Sequence, residues 1–157
     1  MQFETYPDCG LDAATKADVD LPRALTDVAD LRRRPAAGVW SPLEYACHTR
    51  DVISVFEERI RRTATTPGQQ LGWWDHDAAV VDSQHNEQEP VLVAEAMAAN
   101  ARRFGRALAD LAPAQWDAVA DRRPGAGFAI RGMARLVVHE MVHHHRDAEE
   151  QLETTVA

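Results

Sequence analysis

Two histidines near the C-terminal end have the spacing with the clearest potential for chemistry. His139 and His143 lie in a stretch, residues 131–147, that has helix-forming composition and no proline. Residues four apart share a helix face, so the two imidazoles stand side by side and can chelate a divalent metal. Gly132 and Leu136 fall on the same stripe, which predicts that this face points inward.

A third imidazole is available from an earlier segment. His48 lies between Tyr45 and Val52 on the apolar side of a second predicted helix. By itself it is better interpreted as a buried structural histidine. Together with His139 and His143 it gives three donors from two helices, the ligand count of a catalytic zinc site that keeps one position open. Imidazole also suits nickel, iron or cobalt, so the residues alone do not select the metal.

The neighbouring histidines have a competing interpretation, since three in a row near a terminus are also typical of a solvated run. We predict that His144 and His145 are not ligands. His145 is rotated by roughly 200° from His143 on an ideal helix and should face solvent. Cys47 adjoins His48 but is turned about 100° away, so it is expected to stay outside the ligand set.

Several carboxylates are spaced to orient the ligand rings. Glu44 and Asp51 lie four before and three after His48, Asp147 lies four after His143, and Glu140 follows His139 directly. A carboxylate at such a distance can hold the second nitrogen of a coordinating imidazole. Pairing at the surface is an equally good explanation for each acid.

The residues 139–143 also read His-Glu-x-x-His, the zinc metalloprotease pattern in which the glutamate polarises water. The metzincin extension is not met, because Arg146 and Glu149 stand where glycine and histidine are required. Only fourteen residues follow His143, too few for a distant downstream carboxylate helix. A protease is therefore ranked below the other metal-dependent functions.

Composition limits the remaining choices. The chain has 157 residues, enough for one domain with a proper core. Its formal net charge of −8 argues against nucleic acid or an anionic membrane as the main partner. No apolar run approaches a membrane span, and two cysteines do not imply a disulfide framework, so a cytoplasmic location is expected. Cys9 is interpreted as an incidental thiol.

The elements that must position these residues are helices. The sequence predicts an all-α, single-domain four-helix bundle with helices near 21–34, 42–64, 90–111 and 130–152, after an irregular segment 1–20. Ser41, Pro42 and Glu44 form the start signal of the second helix, with a capping box. Residues 69–89 form a long connection, and a turn flanked by two short β-like runs is predicted around 122–127. Trp73 and Trp74 in the connection either cap a pocket or seal the end of the core.

The second helix opens with Trp40-Ser41-Pro42-Leu43-Glu44-Tyr45-Ala46-Cys47-His48, which resembles the W-S-x-x-E-x-x-x-H motif of the DinB/YfiT-like family. The His-x-x-x-His of residues 139 and 143 resembles the second metal motif of that family. The resemblance extends over nearly the whole chain. It implies a four-helix bundle, often a homodimer, that binds one divalent metal, zinc first and nickel second, through three histidines.

Members similar to this chain include enzymes that use low-molecular-weight thiols, namely mycothiol-dependent maleylpyruvate isomerases and mycothiol or bacillithiol S-transferases. Some of the isomerases have glutamate at the position of His139. This departure of the present sequence counts against the isomerase reaction. The resemblance implies a thiol S-transferase that joins a thiol such as mycothiol to an electrophilic small molecule. Asp75, His76 and Asn86 in the long connection are candidates for binding the thiol.

Three functions remain open at this point. The first is a metal-dependent thiol S-transferase or related isomerase. The second is a non-catalytic, metal-binding stress-response bundle in which the metal ties two helices together. The third is a metal-dependent hydrolase with Glu140 or a loop acid as the base.

Overall fold

The computed structural model describes residues 28–123 and 126–156. Helices dominate it, and a short antiparallel hairpin, β1 with β2, precedes the last helix. In chain order the elements are α1 (Val28–Arg32), α2 (Pro42–Thr65), α3 (His76–Asp82), α4 (Pro90–Ala109), β1 (Val119–Arg123), β2 (Ala126–Ala129) and α5 (Ile130–Val156). Two 3-10 helices, His85–Glu87 and Pro113–Asp117, lie in the connections.

Helix α2 is the centre of the bundle, because it packs against both α4 and α5 and also meets α1. Its start is fixed by the predicted capping box. The Ser41 hydroxyl accepts from Glu44 N at 3.2 Å, and Ser41 N donates to the Glu44 carboxylate at 2.8 Å. Two backbone donors that the helix cannot satisfy internally are thereby bonded. This fixes the first turn of the helix that carries His48.

The apolar core lies between α2, α4 and α5. Among its members, Ile53, Ile60, Ile130, Met133 and Val137 are fully buried. Burying a side chain of this size contributes about 1.5–3 kcal/mol relative to leaving it exposed. The three long helices are therefore held by their own packing, independently of any metal.

The sequence-based fold is confirmed as an all-α four-helix bundle built on α1, α2, α4 and α5. The predicted ends of α2 and α4 differ from the observed ones by one and two residues, and α5 continues four residues beyond its predicted end. The two β-like runs predicted around 122–127 are the antiparallel strands β1 and β2, while residues 124 and 125 of the predicted turn lie outside the described residues. Residues 1–27, which include the predicted irregular segment and the first half of the first predicted helix, lie outside the described residues.

The connection 69–89 is more ordered than predicted, because it contains α3 and the first 3-10 helix. Asp75 caps α3 by accepting from Ala78 N at 3.0 Å. This start signal is short and lies outside any long apolar stripe, which is why hydrophobic periodicity missed the helix. Among the described residues, no helix has the length and apolar content needed to cross a membrane.

Candidate metal centre

Three potential metal donors meet where α2 faces α5. His48 lies on α2, and Glu140 and His144 lie on α5, with one donor atom of each within 4.8 Å of the other two. The Glu140 Oε2 atom is 3.1 Å from His144 Nε2 and 3.6 Å from His48 Nε2. We call His48, Glu140 and His144 the inner cluster.

The rotation of α5 brings two of these residues inward. Met133, Ala134, Val137 and Val138 are buried, and they define the stripe that faces the bundle. Moving three or seven residues on from Val137 gives Glu140 and His144, which fall on the same side of a helix. The apolar stripe thus continues into a polar end that points at His48.

His48 is a neutral donor at neutral pH. Burial lowers its pKa and outweighs the opposing influence of the Glu140 carboxylate. A neutral imidazole has a free lone pair on one nitrogen, which is the form that binds a metal. The side chain is only 5 % exposed, so its orientation is fixed by packing.

Glu140 and His144 form a charged pair at the same place. Burial alone would raise the pKa of Glu140, but hydrogen bonds from His144 and His48 and the charge on His144 hold it well below its ordinary value. Burial alone would lower the pKa of His144, but the hydrogen bonds and charges of Glu140 and Asp147 raise it. The carboxylate is therefore ionised, and the raised pKa of His144 favours a protonated ring beside it.

Asp147 orients His144 from the other side of the ring. Its Oδ2 atom lies 3.2 Å from His144 Nδ1, while His144 Nε2 is directed at Glu140. A hydrogen-bond acceptor beside Nδ1 keeps a proton on that nitrogen, so Nε2 is the nitrogen available to coordinate a metal. The arrangement is a carboxylate–histidine pair of the kind that supports metal ligands in proteins.

Aromatic rings surround the two histidines of the inner cluster. The Trp74 ring stacks on His48 at 5.8 Å with an interplanar angle of 3°, and Trp40 lies 5.0 Å from His48. Tyr45 stacks on His144 at 5.1 Å. These walls lower the local dielectric constant and strengthen electrostatic interactions inside.

The loop that brings Trp74 to the site is fixed at its base. Arg59, on α2, donates through Nη2 to the Gly72 carbonyl at 2.7 Å. Beyond Trp74, the ring of His76 lies 5.6 Å from His48, and its side chain is half exposed. Trp73, in contrast, is 81 % exposed. The predicted pocket-capping role therefore fits Trp74, which contacts His48, and not Trp73.

The predicted pair on α5, His139 and His143, lies beside the inner cluster. The two rings stack on each other at 5.7 Å, and the His143 side chain is 56 % exposed. Among the described residues, the donor groups that meet within 4.8 Å do not combine them with His48. The geometry departs here from the prediction, in which these two histidines joined His48 and His144 stayed out.

The physical reason is helix rotation. The predicted inward stripe of Gly132 and Leu136 is only partly buried, whereas Met133 and Val137 are fully buried. The buried stripe is thus one residue later in the sequence than predicted, which corresponds to a rotation of α5 by about 100° about its axis. It replaces His139 and His143 by Glu140 and His144. His145 faces outward as expected, paired with Glu149 at 3.3 Å.

Two of the predicted supporting carboxylates serve elsewhere. Glu44 is buried in the capping box and in an ion pair with Arg34. Asp51 pairs with Arg50 at 2.8 Å and lies 3.0 Å from His85 Nε2, where the ring is not aligned for a hydrogen bond. Of the predicted supporting acids, only Asp147 and Glu140 contact a histidine of the inner cluster.

The candidate thiol-binding residues have separate positions. Asp75 caps α3, and Asn86 bonds Ser41 Oγ at 2.7 Å and the Arg32 carbonyl at 3.0 Å. His76 faces the inner cluster. Cys47 is fully buried, and burial raises its pKa to about 11. Its thiol lies 3.6 Å from the His85 carbonyl, away from the donor groups described above.

Comparison with known proteins agrees with this architecture. The solved structure of YfiT from Bacillus subtilis, described as a probable metal-dependent hydrolase with an unusual four-helix bundle topology, is similar with a TM-score of 0.73. The identity is 14 %, over 82 % of this chain and 74 % of YfiT, so the likeness concerns the fold. No curated protein matches the sequence.

The family is shown by the sequence itself. The sequence model of the DinB superfamily matches residues 12–148, which include α2, the inner cluster and Asp147. The resemblance of the Trp40–His48 motif had indicated the same family. This chain belongs to the DinB superfamily.

Proposed function

We propose that the protein is a metal-dependent transferase that adds a small thiol to an electrophilic compound. The metal would be held by His48 Nε2, the Glu140 carboxylate and His144 Nε2, with zinc as the first choice and nickel as the second. The observation that supports this proposal is the convergence of these three donors within 4.8 Å at an aromatic-walled position.

The donor set fits a divalent metal. Two imidazoles and one carboxylate match catalytic zinc sites, in which three protein ligands leave a position for water or substrate. Bonds of roughly 2.0–2.2 Å to one ion are compatible with the separations of 3.1 and 3.6 Å between Glu140 Oε2 and the Nε2 atoms of His144 and His48. The carboxylate also neutralises part of the charge of the cation, which a site this buried requires.

A metal ion bound here would stabilise the thiolate form of an incoming thiol, which is the nucleophilic form. The chain supplies the surroundings. His48 would coordinate the metal as a neutral imidazole, and Glu140 would provide the negative charge. Asp147 accepts from His144 Nδ1 and so keeps the proton on that nitrogen. Trp40 and Trp74 shield His48 from water.

The nucleophile has to come from outside the described part of the chain. The Cys47 thiol is buried, and with a pKa of about 11 it is protonated at neutral pH. An external thiol or a water molecule can take this role. The resemblance to thiol-dependent members of the family favours the thiol, with mycothiol as the first compound to test.

A metal-dependent hydrolase is the second candidate. The same residues would bind a metal that activates water instead of a thiol. The similarity to YfiT, described as a probable metal-dependent hydrolase, supports this alternative. The two reactions differ in whether turnover consumes a thiol.

The test compares wild type, His144→Ala and chelator-treated protein, each with thiol and monobromobimane, after subtraction of the uncatalysed rate. We expect metal-dependent conjugation in wild type alone, with restoration of the chelated protein by zinc or nickel. His145→Ala serves as the matched control, because His145 faces outward on the same helix.

Equal rates in wild type, His144→Ala and chelated protein, with mycothiol, bacillithiol, glutathione and coenzyme A, would exclude metal-assisted transfer to this acceptor. Metal-dependent ester or amide cleavage without thiol would instead establish the hydrolase. Metal binding without either activity would support the non-catalytic bundle.

A further inference from the structure

The paired histidines 139 and 143 have the spacing of a chelating pair, yet the inner cluster does not use them. We propose that His143 and Asp147, with His139 one turn away, form a second and weaker divalent-metal site on the outer side of α5. We call this the outer site. It is distinct from the proposed catalytic centre, although Asp147 connects the two.

The distances support the outer site. His143 Nε2 lies 3.6 Å from Asp147 Oδ2, so one ion can contact both after a small side-chain adjustment. One donor atom of each of His143, His144 and Asp147 lies within 4.8 Å of the others. The His139 ring stacks on His143 at 5.7 Å with an interplanar angle of 16°, which brings a second imidazole to the same side.

The donors select the class of metal. Imidazole nitrogen suits zinc, nickel and copper, whereas magnesium and calcium require oxygen ligands. One carboxylate and one imidazole within reach of a single ion, with a second imidazole one turn away, give a site open to water on several sides. The outer site should therefore accept borderline transition metals and reject magnesium.

Exposure makes the outer site weaker than the inner cluster. The His143 side chain is 56 % exposed, compared with 12 % for His144 and 5 % for His48. An exposed side chain loses rotamer freedom when it binds an ion, and a buried one has already lost it on folding. In addition, all donors of the outer site come from one helix.

Asp147 connects the two sites, because Oδ2 lies 3.2 Å from His144 Nδ1 and 3.6 Å from His143 Nε2. An ion at the outer site would compete with His144 for this carboxylate. This part of the inference rests on the proposed function: excess zinc should lower the activity of the metal-loaded protein, and His143→Ala should reduce that inhibition.

The experiment is a calorimetric titration of metal-free full-length protein with zinc, repeated with nickel and with magnesium. The variants are His143→Ala, His48→Ala and the control His145→Ala, whose side chain is exposed to a similar degree on the same helix. Circular dichroism of each variant verifies that the helices are retained. We expect two zinc ions per wild-type chain, with affinities that differ by at least about 100-fold.

His143→Ala and His48→Ala should each remove one binding event, and the control should remove none. His143→Ala is expected to lose only the weaker ion, His48→Ala only the tighter ion, and His145→Ala neither, while magnesium should not bind. If His48→Ala removes no binding event but the weaker event still requires His143, the outer site stands and the proposed centre fails.

Three results would overturn the outer site. The first is a single ion per wild-type chain. The second is loss of the tight ion in His143→Ala, which would assign His143 to the main centre. The third is equal weakening by His143→Ala and His145→Ala, which would indicate adventitious binding by surface histidines only.

Discussion

The inner and outer sides of α5 each carry a pair of potential metal ligands four residues apart, but the surroundings of the two pairs differ. Glu140 and His144 are four apart, as are His139 and His143. The inner pair meets His48 from α2 and is mostly buried, whereas the ring of His143 is more than half exposed. A four-residue spacing creates a chelating pair, but a defined centre also requires a donor from another element and burial that fixes the rings.

The largest expected effect tests the rotation of α5. Met133→Ala removes a fully buried side chain from the inward stripe and should lower the free energy of unfolding by about 2–5 kcal/mol. Arg135→Ala changes an exposed residue two positions later and should stay within roughly 0.5 kcal/mol of wild type. Urea unfolding followed by circular dichroism measures both, and the opposite ranking would mean that α5 is rotated differently.

The next effect compares two glutamates on α5. Glu140→Gln removes the charged donor of the inner cluster and should weaken binding of the tight metal by more than the roughly 10–100-fold typical of an outer partner. Glu149→Gln changes an exposed acid that pairs only with His145 among the described contacts, and should leave the affinity unchanged. Competition with a coloured chelator gives both constants. Similar affinities for the two variants would remove Glu140 from the centre.

A smaller effect is expected at Asp147. Asp147→Asn removes the charged acceptor at His144 Nδ1 and should weaken the tight site by roughly 10–100-fold with the helices intact. Asp117→Asn is the control, since Asp117 pairs with Arg131 at 2.8 Å on the surface. Wild-type affinity in Asp147→Asn would show that this hydrogen bond does not orient the ligand.

The smallest effect is the pH dependence of the tight site. The pKa of His144 is raised, and its ring must lose a proton from Nε2 before that nitrogen can bind metal. Apparent affinity should therefore fall as pH drops through this raised pKa, by up to about tenfold per unit for one proton. In Asp147→Asn the fall should begin at lower pH, because one cause of the raised pKa is absent. A midpoint unchanged by the substitution would contradict this assignment.

Metal-free protein should respond in the opposite direction. A raised folded-state pKa means that the contribution of His144 to stability is fully present below its unfolded value, near 6.5. That contribution is lost as pH rises through the folded-state pKa. The difference in unfolding midpoint between wild type and His144→Ala, both measured without metal, should therefore become smaller above this range.

Most of the fold followed from local signals in the sequence. The start of α2 was predicted from Ser41, Pro42 and Glu44, and the capping hydrogen bonds form as expected. Long apolar stripes gave α4 and α5 nearly in full. The short helix α3 was not predicted because seven residues supply too little periodicity, and Asp75, a predicted thiol-binding candidate, is the N-cap of this helix.

The inner cluster was harder to predict because the α5 sequence contains two pairs at chelating spacing, one residue apart. Spacing alone treats His139 with His143 and Glu140 with His144 as equals. The buried stripe through Ile130, Met133 and Val137 distinguishes them, since it extends to His144 by steps of seven. That signal is present in the sequence, but the four-residue spacing of His139 and His143 favours the neighbouring stripe. The contact with His48 depends on the packing of α2 on α5, which no local pattern encodes.

The hairpin connects the two walls of the inner cluster mechanically. Leu71 N donates to the Asp121 carbonyl and Asp121 N donates to the Gln69 carbonyl, both at 2.8 Å, so the loop before Trp74 is joined to β1. Ile130 N, at the start of α5, donates to the Ala118 carbonyl at 3.0 Å. The base of the aromatic loop and the base of the helix that carries Glu140 and His144 therefore share one rigid frame. Any movement of the Trp74 wall would therefore involve residues 73–76, which follow Gly72, whose carbonyl is bonded to Arg59.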